Sequence, residues 1–231
     1  RMAKEGLDDV KAKLLQKIET EPEGKAAQAL SLITKRVSEF TFPKLMNSLT
    51  ENRSKIGRLL EKYASVDELV AETAKRLGVD DGETEENIKQ KFFAECPRDV
   101  LKDLLQSLLN GSDTDKKKAV VLECVLTSMH PEDFYADYRG LFFTTGGEAR
   151  KSLATKAVMA RCPRAEAMFV AEVERIEECD NHLAALNLLV ATQAVLYLAD
   201  DLIKGYNAYK ALHSKMDYED VLYTQLNRKT V

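Results

Sequence analysis

An all-α protein is predicted from three observations. The 231 residues include only 10 glycines and 5 prolines, so long stretches run without a breaker. Those stretches are rich in Ala, Leu, Glu and Lys, which are strong helix formers. Their apolar residues recur at i, i+3 and i+4, the spacing of one helix face, and no Asn-Gly turn sits between alternating strand patterns.

Taken in order, residues 3–19 form the first amphipathic helix, with Leu7, Val10, Leu14, Leu15 and Ile18 on one face. The segment TEPEG ends it. A second helix is expected over 25–40, carrying Ala26, Ala29, Leu30, Ile33 and Val37. Pro43 opens a short helix with Leu45, Met46 and Leu49, and Ile56, Leu59, Leu60 and Tyr63 form the next stripe. Ser65 and Glu68 stand at capping-box spacing, so a helix starts there, and Gly78 is suited to end it. A further helix is expected over 85–95, with Ile88, Phe92 and Phe93.

Pro97, Pro131 and Pro163 then lie 34 and 32 residues apart. Proline is favoured at the first position of a helix, where its missing N–H has no partner to lose. Each proline is followed by about a dozen helical residues and a polar break: NGSDTD (110–115), TTGGEA (144–149) and EECDNH (177–182). A second, more apolar helix follows each break. The period of about 33 residues is that of a helical-hairpin repeat, so a short α-solenoid-like stack of antiparallel hairpins is expected, with a multi-helix bundle as the alternative. The last of these helices, 183–199, has no charged residue and is expected to be a core helix buried on most sides, too short for a membrane span. A separate helix is expected over 202–212. Three regions result: an N-terminal helical region (1–96), a hairpin region on the same core (97–214) and a polar tail (215–231).

Hydrophobic residues make up 45% and charged residues 31%, which excludes a disordered chain. A net charge of −4 argues against bulk attraction to nucleic acid. The opening residues RMAKEGLDDVKAKLL are charged throughout, unlike a secretory leader. Cys96, Cys124, Cys162 and Cys179 are widely spaced with no CxxC pair, which reads as reduced thiols and a cytoplasmic location. His130, His182 and His213 show no paired ligand spacing, so no metal is expected. GxSxG, P-loop and GxGxxG patterns are absent, and neither a cofactor nor catalysis is expected. Gly146-Gly147 ahead of Arg150 and Lys151 resembles a helix start open to an anion, a reading set against a simple turn.

The expected function is a non-catalytic intracellular scaffold or adaptor that binds a protein partner, because helical-hairpin stacks present concave recognition surfaces. The candidate surface is Arg98, Lys102, Tyr135, Tyr138 and Arg139. The alternative is a helical nucleic-acid-binding protein, RNA before DNA, using Lys116, Lys117, Lys118, Arg150 and Lys151. In the tail, Tyr218 and the run Val221, Tyr223 and Leu226 fit a tyrosine-based linear motif. The helix 3–19 can dock in trans as readily as in cis, so a homo-oligomer is allowed.

Overall fold

The structure, a computed structural model, describes residues 2–36 and 42–213. The tail motif with Tyr218, Val221, Tyr223 and Leu226 lies outside the described residues, as do residues 37–41 of the expected second helix. Among the described residues are eleven helices and no strand; the one β-bridge joins Phe143 to Ala149. The helices are α1 (Met2–Thr20), α2 (Lys25–Arg36), α3 (Phe42–Glu51), α4 (Arg53–Leu60), α5 (Val66–Leu77), α6 (Glu85–Ala94), α7 (Arg98–Leu109), α8 (Asp113–Thr127), α9 (Pro131–Phe142), α10 (Lys156–Arg161) and α11 (Arg164–Leu212).

The chain divides into two units, Arg1–Leu77 with Asn187–Val231, and Gly78–Leu186. The boundary expected at 96/97 falls inside the second unit. In the first unit, Val10 and Leu14 of α1, Ala26, Ala29 and Ile33 of α2 and Met46 and Leu49 of α3 bury against Ala194, Leu198, Ala199 and Leu202 of α11. A smaller cluster joins Val66 and Leu69 of α5 to Leu196. The Ser65 hydroxyl accepts the Glu68 N–H (3.1 Å), as the capping spacing predicts. The Glu68 carboxylate takes the Ala64 N–H (2.6 Å) rather than that of Ser65. Gly78 follows α5 with φ +67°, the left-handed conformation glycine adopts without strain.

In the second unit α6 packs on α9, α7 on α8, α8 on α9, and α10 on α7. Phe92 of α6 meets Tyr135 and Tyr138 of α9 edge-on, at 4.9 and 5.8 Å between centroids. Phe93 meets Phe134 in the same way at 4.9 Å. Such pairs add directional preference to the burial of large apolar area. The α8 start is a full capping box. Asp115 N–H donates to the Ser112 hydroxyl, and Ser112 N–H donates to the Asp115 carboxylate.

The repeat reading stops after its first hairpin. Pro131 takes the first position of α9, but Pro97 caps α7 and Pro163 precedes α11. The expected helix after TTGGEA shrinks to the six residues of α10. Thr144 N–H donates to Glu148 O (2.8 Å) and Arg150 N–H to Phe142 O (2.7 Å), which ties 143–150 into a turn with Gly147 at φ +83°. EECDNH does not break at all. It lies inside α11, as does the helix expected over 202–212. The segment has no Gly or Pro, and its polar side chains find partners on α9 and in the loop before α6. Tyr135 and Arg139 donate to Asp180, and His182 bonds Glu83 at 2.7 Å.

Residues 183–199 are also less enclosed than expected, since Leu188 is 56% exposed. α11 holds an 18-residue window of mean hydropathy 1.6, long and apolar enough by composition to cross a membrane, and 33% of that window is buried. In the first unit it is one face of the helix, through Leu198, Ala199 and Leu202, that meets α1, α2 and α3.

Gly111 shows how closely α8 approaches the segment behind it. A Cβ there would lie 2.7 Å from Asp115 Cβ and 2.9 Å from Val158 Cγ2. Gly111→Ala is expected to destabilise the protein by about 2 kcal/mol through overpacking, read as a fall in the denaturation midpoint at unchanged slope.

Candidate functional site

The five residues expected to form a recognition surface do not form one. Tyr138 is fully buried and Tyr135 nearly so. Arg98 donates to Leu126 O (3.0 Å) and lies over the Phe93 ring at 4.7 Å. Arg139 pairs with Asp180 at 2.9 Å. Lys102 alone is exposed. The reason is the amphipathic geometry of α9. Phe134, Tyr135, Tyr138 and Phe142 share its inner face, and the tyrosine hydroxyls reach carboxylates on α11.

Those carboxylates belong to a buried polar ladder that spacing alone did not reveal. Glu172 is 5% exposed. It accepts from Tyr138 OH (2.6 Å) and from two guanidinium nitrogens of Arg175 (2.6 and 3.0 Å). The guanidinium also donates to Phe92 O (2.9 Å) and stacks 3.6 Å from the Phe92 ring centroid. Burial first, and then the adjacent Glu172 charge, push the Tyr138 hydroxyl far above its ordinary range. Burial and the bond to Asp180 do the same to Tyr135. Neither phenol ionises at neutral pH, so both act as hydrogen-bond donors. Burial also pushes the Cys96 thiol up to about 11 and raises Cys179, which removes the thiolate that nucleophilic chemistry needs. All four cysteines are free. Among the described residues no group of three His, Cys, Asp or Glu side chains converges on one point.

The Gly146-Gly147 reading is corrected. The residues lie in the 143–150 turn, and the next helix begins only at Lys156, so no helix N-terminus opens there. The basic residues named with the nucleic-acid alternative fare differently. Lys116, Lys117, Arg150 and Lys151 are exposed, while Lys118 is half-buried and donates to Leu153 O (2.8 Å).

One cleft of about 610 Å³ lies in the first unit. Lys25 sits between Asp67 (2.6 Å) and Tyr197 OH (3.1 Å), and the Tyr197 hydroxyl also donates to Asp67. Lys17 pairs with Asp201 (3.0 Å) and Lys204 with Asp200 (2.7 Å). The bonds from Lys25 hold the Asp67 carboxyl below its usual range, and those to Asp67 raise Lys25. Both partners are largely exposed, so solvent screens the pair. The cations lining this cleft already have carboxylate partners.

An exposed apolar feature of the second unit is the outer face of α8. Its inner face buries Ala119, Leu122 and Val125. The outer face leaves Val120 59% and Val121 47% exposed, with exposed Cys124 one turn on and Met129 just beyond the helix at 82%. By fold, the chain is an all-α multi-helix bundle. No protein-family model, curated protein or solved structure matches it.

Proposed function

We propose that the chain is a non-catalytic intracellular interaction or scaffold protein whose partner-binding surface is the outer face of α8. The observation that supports this reading is the adjacent pair Val120 and Val121, exposed one turn before the exposed Cys124, with Met129 exposed beyond the helix end. β-Branched residues on the solvent side of a helix gain nothing from propensity. Contiguous exposed apolar groups, methionine among them, are typical of surfaces that another protein covers. α8 packs on α9, and Tyr135, Tyr138 and Arg175 bind α6, α9 and α11 together by hydrogen bonds across 34 to 83 residues of sequence.

The test is capture of partners from the native cell lysate by wild type and by Val120→Glu/Val121→Glu. Both sites are exposed, so the variant is expected to keep its thermal midpoint while losing about tenfold or more of a specifically captured protein. Equal capture by both proteins would refute the assignment of this face. A third bait lacking 215–231 separates the tail motif from α8, because loss confined to that bait would place recognition in the tail.

A further inference from the structure

The fold joins two basic runs that are far apart in sequence. Between Glu148 and Glu166 there is no acidic residue, but there are Arg150, Lys151, Lys156, Arg161 and Arg164. In a chain of net charge −4 that is marked segregation. Asp115, in the first turn of α8, accepts the Thr155 N–H (3.0 Å) and the Thr155 hydroxyl (2.9 Å). Lys118 donates to Leu153 O (2.8 Å), and Arg161 donates to Asn110 O (3.0 Å). These bonds hold 150–161 against the start of α8, where Lys116 and Lys117 are exposed.

We propose that Lys116, Lys117, Arg150, Lys151, Lys156 and Arg161 form one cationic patch that binds the phosphate backbone of a nucleic acid without reading its sequence. Lys117, Lys151 and Lys156 make no ion pair among the described residues. Lys116 meets Asp113 only at 4.0 Å, in a contact exposed on both sides. Arg150 and Arg161 use part of their guanidinium groups on backbone carbonyls, which orients the rest. Planar guanidinium groups suit phosphate oxygens. Asp115, which ties the two runs together, is turned inward and 1% exposed, while the exposed acids Asp113 and Glu148 stand just outside the two runs. Leu153 and Val158 are buried, so the 150–161 part of the patch carries no large exposed apolar side chain, and the exposed Val120 and Val121 border it only on the α8 side. Charge dominates the patch, and nucleic acid presents the opposite charge most densely, one phosphate per about 1.7 Å of duplex. The patch contains no aromatic residue on which a base could stack, which makes the contact a backbone contact.

The test is fluorescence anisotropy of the full chain with a labelled RNA strand and a labelled DNA duplex, each about 20 nucleotides long, between about 50 and about 200 mM salt. Binding is expected to weaken with salt with a log–log slope of about −3, as several phosphate contacts require. Lys117→Glu/Lys151→Glu/Lys156→Glu/Arg161→Glu is expected to lose tenfold or more in affinity, roughly the effect of removing several phosphate contacts. A control with four reversals elsewhere, Lys13→Glu/Lys62→Glu/Lys91→Glu/Lys102→Glu, is expected to lose less than about threefold, the long-range effect of net charge alone. Should the fourfold variant melt early, Lys151→Glu/Lys156→Glu replaces it. No binding at the lowest salt, or equal loss in both variants, would overturn the patch. A polyglutamate peptide or phosphatidylserine vesicle that binds at least as tightly as the oligonucleotides would also overturn it, in favour of an acidic protein or a membrane.

Discussion

Arg175→Ala is expected to lower the free energy of unfolding by about 3–5 kcal/mol, the cost of leaving one charge of a buried pair uncompensated. The charge left behind is Glu172, which would keep only the Tyr138 hydroxyl among the side-chain donors it has now. The substitution also removes the donor to Phe92 O and the stacking on the Phe92 ring. Chemical denaturation of both proteins reads the loss. Replacing both partners, as in Glu172→Leu/Arg175→Met, is expected to recover more than half of it, because no buried charge then remains. A loss below about 1 kcal/mol for Arg175→Ala would mean that water reaches Glu172 and that the pair behaves like a surface salt bridge.

Asp115→Ala is expected to cost about 3 kcal/mol, since one side chain caps α8 and anchors 153–155. Removing it leaves the N–H groups of Ser112 and Thr155 without their acceptor. The effect depends on pH with a definite sign. Burial alone would raise the carboxyl. The Ser112 hydroxyl, the Thr155 N–H and hydroxyl, and the Ser112 N–H outweigh it and hold the group at about 2, below its ordinary 3.8. A carboxyl depressed in the folded state stabilises the protein above its unfolded value, and that stabilisation fades as pH falls from about 4 through about 2. The stability gap between wild type and Asp115→Asn, which cannot titrate, is therefore expected to narrow over that interval. A gap that stays constant from neutral pH down to about 2 would show that the charge of Asp115 contributes nothing.

Local signals in the sequence located most of the helices correctly. Ser65 and Gly78 bracket α5 because a cap and a left-handed glycine act within one turn. Pro131 starts α9 for the same reason. The signal for α8 was present too: Ser112 and Asp115 stand three apart, a capping box that places the helix start at Asp113 rather than at the lysines. Two polar runs and one pair of tyrosines misled. EECDNH resembled a turn because the residues that satisfy Asp180 and His182 lie 41 to 99 positions away. RKSLAT (150–155) has a helical composition but runs through bends, because Leu153 O and Thr155 are tied to Lys118 and Asp115 of α8. Tyr135 and Tyr138 have the composition of a wet surface and the packing of a core, because their hydroxyls end on α11 carboxylates.

By itself, then, the sequence determined the all-α class, the starts and ends of helices with local caps, and the basic character of 116–118 and 150–151. Those properties depend on backbone preference, capping and charge within a few residues. Tertiary structure alone decided that α11 runs unbroken, that Glu172 and Arg175 are buried together, and that Thr155 docks on Asp115, bringing the two basic runs side by side. The physical reason is that a polar group in the middle of a chain is compatible with either water or a distant partner, and only the folded packing determines which of the two it meets.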